Sequence, residues 1–168
     1  LVYGWPVDED KKNAPKQCIF TREFGEYVDD WYAHNAMNRA SRSWGERAMK
    51  VQAEALTETI DLMYHTKGQF SGGCQWHPFD HQRGYHPDPF WGGIYDAFRQ
   101  KKYAYYLFHS QMPATFKSDV VESGPMVYMM HEMTPSSEPD VTVYSNCDSV
   151  RLSIYDGAKS WTLPVEHQ

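Results

Sequence analysis

The spacing of apolar and polar residues changes character several times along the chain. Cys18-Ile19-Phe20-Thr21 is a short apolar, β-prone run, which predicts a buried strand that stops at Arg22-Glu23-Phe24-Gly25. From Trp44 to Tyr64 the period is helical: Met49, Gln52/Ala53, Leu56, Ile60 and Met63/Tyr64 share one face, while Glu46, Arg47, Lys50, Glu54 and Glu58 fall largely off it. Lys67-Gly68 closes that element, as a glycine after the last turn often does. Gly72-Gly73-Cys74-Gln75-Trp76 is a second short strand-like run, and His77 to Gly93 follows as a loop rich in His, Pro, Gly and aromatic residues. Lys101 to Gln111 reads as a second helix with Tyr103, Tyr106, Leu107 and Ser110 on one side.

Near Pro113 the pattern turns wholly strand-like. Met126-Val127-Tyr128-Met129-Met130, Val141-Thr142-Val143-Tyr144 and Val150 to Tyr155 are separated by turn residues, with no helix between them. The expected fold class is therefore α/β followed by all-β. Strand, loop and helix alternate in the first two thirds, which indicates parallel strands with helical crossovers, and a meander or sandwich begins in the last third. Residues 8–17 read as a solvent-side connection and Asp29 to Ser43 as polar and irregular, with no internal repeat anywhere.

Composition narrows the function classes. Against 16 basic residues stand 22 acidic ones, a net charge of −6, which argues against tracking nucleic-acid phosphates on a basic face. No run of about 18 apolar residues is present, so no membrane span is expected. Cys18, Cys74 and Cys147 are odd in number and far apart, which suits neither a disulfide framework nor a compact zinc-ligand spacing. Aromatic residues reach 15% of a polar chain, a proportion that suits a sheet-rich core or a sugar-binding cleft. Both ends read as cut, so the missing leader at Leu1 carries no weight.

Chemistry is expected at strand C-termini, where an alternating α/β chain gathers its functional side chains. Two places qualify: Arg22-Glu23, and Trp76-His77 with Phe79-Asp80-His81. A carboxylate beside a large aromatic suits a saccharide, since one stabilises or attacks an oxocarbenium-like centre and the other offers a flat apolar face. The plain alternative is a surface Glu23 paired with a neighbouring Arg. His77, His81 and His86, with Cys74 nearby, suggest a metal-dependent hydrolase as a competing reading, although their spacing fits loop histidines bonded to backbone better than a helical metal motif. Tyr103, Tyr105 and Tyr106 read as packing.

Phe20-Thr21-Arg22-Glu23-Phe24-Gly25, Asp29-Asp30-Trp31, Arg39 to Glu46 and Gly72 to Tyr85 together resemble glycoside hydrolase family 2, and within it the β-galactosidase-like members. The resemblance implies that residues 1–112 form the C-terminal part of a TIM (β/α)8 barrel, 113–125 a linker, and 126–168 the first strands of an immunoglobulin-like β-sandwich. It places Glu23 at the nucleophile position and Trp76 on the floor of the subsite for the terminal sugar. His77, Asp80, His81 and Arg83 fall in substrate-binding positions, and Tyr3 where a tyrosine hydrogen-bonds the nucleophile. Arg22, as a neighbouring cation, would help keep Glu23 ionised. The implied activity is retaining hydrolysis of terminal β-D-galactosides, with no cofactor and no metal. The implied partners are an oligosaccharide or small β-glycoside and the remainder of the barrel, with no nucleic acid. Relatives of this type are often periplasmic or secreted. The acid/base Glu of the family belongs to an Asn-Glu pair that would precede Leu1, so the segment by itself is expected to be inactive. A non-catalytic carbohydrate-binding relative is the alternative.

Overall fold

The computed structural model describes residues 18–24, 36–65, 70–82, 84 and 87–166, with backbone only at residues 19, 22 and 70. The chain divides into two compact units, Leu1–Ala104 and Tyr105–Gln168.

In the first unit, β1 (Ile19–Phe24) and β2 (Phe70–Gln75) pair in parallel. Between them runs α1 (Glu46–His65), entered through a 3-10 turn at Arg42–Trp44. Its buried stripe is Met49, Gln52, Ala53, Leu56, Thr59 and Ile60, the i, i+3, i+4 pattern of a helix with one covered face. The stripe ends there: Tyr64, expected on the same face, is 73% exposed. Glu46 in the first turn and His65 in the last match the helix dipole.

The parallel pair is irregular at the end where chemistry was expected. Thr21 and Phe24 are three positions apart, which in a regular strand places them on opposite faces. Both are nonetheless buried, and a Cβ on Gly73 would lie 3.1 Å from atoms of each. The register explains it: Thr21 pairs with Gly73 and Phe24 with Gln75, so Arg22 and Glu23 stand opposite Cys74 alone. This is a bulge, and the extra residue returns Phe24 to the buried side. A side chain at position 73 would crowd both, so that Thr21 and Phe24 would have to give by a few tenths of an ångström.

After β2 no further regular strand forms in this unit among the described residues. Isolated bridges Phe79↔Tyr95, His81↔Phe90 and Tyr95↔Lys101 organise a folded loop that leads into α2 (Tyr103–Ser110). Ala104 and Leu107 on α2 are buried, as is Tyr103 at its start.

In the second unit, β3 (Val127–Met130) and β4 (Thr142–Ser145) form one antiparallel ribbon. β5 (Ser149–Ile154) and β6 (Lys159–Pro164) form another. Asn146 ties the approach to the first ribbon: its Nδ2 donates to Met112 O and Gly124 O, and its Oδ1 accepts from Met126 N. Tyr106 and Tyr128 stack at 3.4 Å between centroids, 4° from parallel.

The expected fold class is overturned. Among the described residues there are two α-helices and three separate two-stranded sheets, which do not make the end of a TIM barrel followed by an immunoglobulin-like sandwich. Among the described residues the parallel ladder has two strands, and the chain beyond Gln75 spends its backbone groups on the bridged loop. The tail is not a sandwich because its two ribbons do not pair with each other, and among the described residues the apolar side of the second stays largely exposed. Leu152 opposes Trp161, and Val150 opposes Leu163, yet Trp161 is 48% and Leu163 63% exposed. Alternation settles which residues share a face; it does not supply a cover. Among the described residues no helix is long and apolar enough to cross a membrane.

Candidate functional site

Glu23 lies in the bulge of β1 and is half-buried. Phe24 O accepts a hydrogen bond from Trp76 N at 2.7 Å, which carries the β1–β2 ladder one step beyond Gln75. Trp76, also half-buried, therefore starts its loop beside the end of the strand that holds Glu23. The Trp76–His77 peptide is cis.

A ring cluster follows Trp76. His77 lies edge-on to Trp76 at 5.4 Å and to His81 at 4.5 Å, and both imidazoles contact Phe90, at 5.1 and 6.0 Å. The Arg39 guanidinium sits over the Phe90 ring, 4.0 Å from its centre. His77 Nδ1 is 2.7 Å from Phe79 O and His81 Nδ1 is 3.1 Å from the same oxygen. A carbonyl only accepts, so both rings donate from Nδ1.

Asp80 leaves the loop in the other direction, into the interior. Its Oδ1 accepts from Lys102 Nζ at 2.7 Å and from Gly93 N at 3.0 Å. Lys102 has no exposed surface, and its other donors reach Ala40 O at 2.5 Å and Trp91 O at 3.2 Å. All three ammonium hydrogens are thus engaged. Burial pushes the Asp80 carboxyl above its usual range, against the opposing pull of the Lys102 charge and hydrogen bond and of Gly93 N–H. Burial likewise lowers Lys102, against the Asp80 charge that raises it.

A second carboxylate closes the loop before α2. Asp96 Oδ1 accepts from Phe98 N and Gln100 N, each at 2.9 Å, and Oδ2 accepts from Arg42 Nε at 2.8 Å. Arg42 Nη2 also donates to Lys101 O. Burial alone raises the Asp96 pKa, but the bonds from Arg42, Gln100 and Phe98, with the Arg42 charge, outweigh it and hold the carboxyl below its ordinary value. From α1, Gln52 Nε2 donates to Asn38 O at 2.9 Å and Gly93 O at 3.2 Å.

The structure thus brings Trp76, His77 and His81 into one cluster and sets Glu23 at the adjoining strand end. Asp80, expected to bind a substrate hydroxyl, is instead committed to the buried framework, because its carboxylate is the counterion that Lys102 requires. Tyr3, Arg83 and His86 lie outside the described residues, as does the side chain of Arg22. Among the described residues no group of three His, Cys, Asp or Glu is placed to hold a metal ion. Lys102, Arg39 and Asp96 were not singled out from the sequence. Gln52 gave a signal, a polar residue on an apolar helical stripe, and that position turns out to brace the site loop from below. No protein-family model matches the chain, and no curated protein matches it.

Proposed function

We propose that this chain takes part in hydrolysis of a β-linked glycoside, terminal β-D-galactosides in the first instance, with Glu23 as nucleophile and Trp76 as the face on which the sugar ring rests. The observation that carries the reading is the bulge that sets two residues, Arg22 and Glu23, against Cys74, one step from the strand end that Trp76 N caps. Bulges re-aim a side chain next to sites of chemistry, and an indole beside a carboxylate is the pairing a pyranose needs. A surface carboxylate with only a solubilising role has no need of a ladder irregularity between two buried side chains, Thr21 and Phe24.

In this mechanism a Glu23 oxygen bonds to the anomeric carbon while the glycosidic C–O bond breaks. The leaving oxygen takes a proton from a second carboxyl group, and water activated by that same group then cleaves the glycosyl ester, restoring ionised Glu23. The second group must stand about 5–5.5 Å from the first for retention. Asp80 is ruled out for it by its bond to Lys102; in the family this chain resembles, that group is the Glu of an Asn-Glu pair. His81 contributes a hydrogen-bonding edge to a sugar hydroxyl.

The experiment is covalent trapping. The whole protein that carries this chain is treated with an activated 2-deoxy-2-fluoro-β-galactoside, which slows release of the glycosyl-enzyme. A stable adduct on the peptide containing Glu23 is expected, located by mass spectrometry. An adduct on another carboxylate, or turnover of the parent galactoside with no adduct, rejects the assignment.

A further inference from the structure

We propose that Lys102 is a positioning residue for the His77–His81 edge: by fixing Asp80 it sets the Phe79 carbonyl that holds both imidazoles as Nδ1–H tautomers. The relay is contiguous. Lys102 Nζ holds Asp80 Oδ1 at 2.7 Å while bonding Ala40 O and Trp91 O, so the ammonium is itself fixed at three points. The peptide that joins Phe79 to Asp80 is planar, and its N–H and C=O point in opposite directions. Its N–H donates to Tyr95 O at 3.0 Å on one side. Its carbonyl, on the other, receives His77 Nδ1 at 2.7 Å and His81 Nδ1 at 3.1 Å. Gly93 seals the plane from behind: a Cβ there would lie 2.3 Å from Asp80 N and 2.5 Å from Phe79 C. Any change in how Asp80 is held therefore tilts the one oxygen that both rings use.

A ring protonated at Nδ1 presents Nε2 as a lone-pair acceptor when neutral. His81 is half-buried, and among the described residues its Nε2 makes no hydrogen bond. It therefore accepts a hydroxyl hydrogen from a ligand lying against Trp76, whose ring centre is 6.4 Å away. That use toward a sugar rests on the function proposed above; the tautomer does not.

The test is a long-range 15N–1H spectrum of the imidazoles in the ligand-free full chain, so its result stands or falls independently of any glycosidase activity. Wild type is expected to show His77 and His81 as single Nδ1–H forms. The Lys102→Met/Asp80→Asn double variant removes both charges at once and leaves no unpaired ion. It is expected to melt cooperatively while His81 becomes a mixture with the Nε2–H form. Asp80→Glu keeps the ion pair but lengthens the relay by one methylene; it is expected to produce the same mixture and serves where the double variant does not fold. Nε2–H forms in wild type, or wild-type spectra from whichever variant folds, overturn the proposal.

Discussion

The loop between Gln75 and Tyr103 and the β5–β6 ribbon are opposites. The loop has almost no regular structure yet is packed around fully buried Lys102, while the ribbon has six clean antiparallel pairs and exposes nearly all of its side chains. The difference lies in where backbone groups find partners. In the ribbon each strand satisfies the groups that face the other and the outward ones meet water, so nothing more is required of the side chains. The carbonyls of Trp91 and Gly93 in the loop, and of Asn38 and Ala40 in the segment before α1, are turned inward, and Gln52 and Lys102 reach in to satisfy them. Irregular backbone becomes rigid when side-chain donors replace the ladder, and a site built on such backbone inherits that rigidity.

The contrast breaks most readily at Lys102. Lys102→Met leaves Asp80 buried without its counterion, and breaking one half of such a pair costs about 3–5 kcal/mol. Urea unfolding of the chain should show that loss; a change below about 1 kcal/mol would place the rigidity elsewhere. A smaller effect is expected in acid. The folded-state pKa of Asp96 is depressed, so its contribution is fully present above the ordinary carboxylate value, near 3.9, and is lost as pH falls toward the folded value. Subtracting the stability profile of Asp96→Asn from that of wild type isolates this slope, which should be flat above about pH 5 and fall only below it. The smallest effect belongs to the ribbon. Trp161→Thr replaces an exposed side chain with another β-former and should change stability by no more than about 0.5 kcal/mol, as an uncovered face requires. A large loss there would mean that the ribbon's apolar side carries weight comparable to the loop.

The same contrast explains what could be read from residues alone. Met49, Ala53, Leu56 and Ile60 announce α1 because a helix writes its covered face into the sequence at fixed spacing. The two short runs around Phe20 and Gly73 similarly announce a pair of strands, and the structure joins them in parallel. The bulge at Arg22-Glu23 leaves no such trace, since it depends on the register across the ladder. Nor do the partners of Lys102, which are 11, 22 and 62 positions away in the chain. Asp80 looked like a substrate ligand because it sits among His and Arg in a loop; only the position of Lys102 turns it inward. The barrel and sandwich failed for a further reason. Periodicity reports the apolar side of each element, whereas the number of strands in a sheet and the layer above it depend on residues far away in sequence.

The proposed reaction requires a Glu23 oxygen to bond to the anomeric carbon. Its most direct test is turnover of an aryl β-galactoside by the complete protein with Glu23→Gln, a substitution that keeps shape and hydrogen bonding but removes the nucleophilic charge. Turnover should drop to background while the protein melts as wild type does. Near-normal turnover by that variant would contradict the assignment.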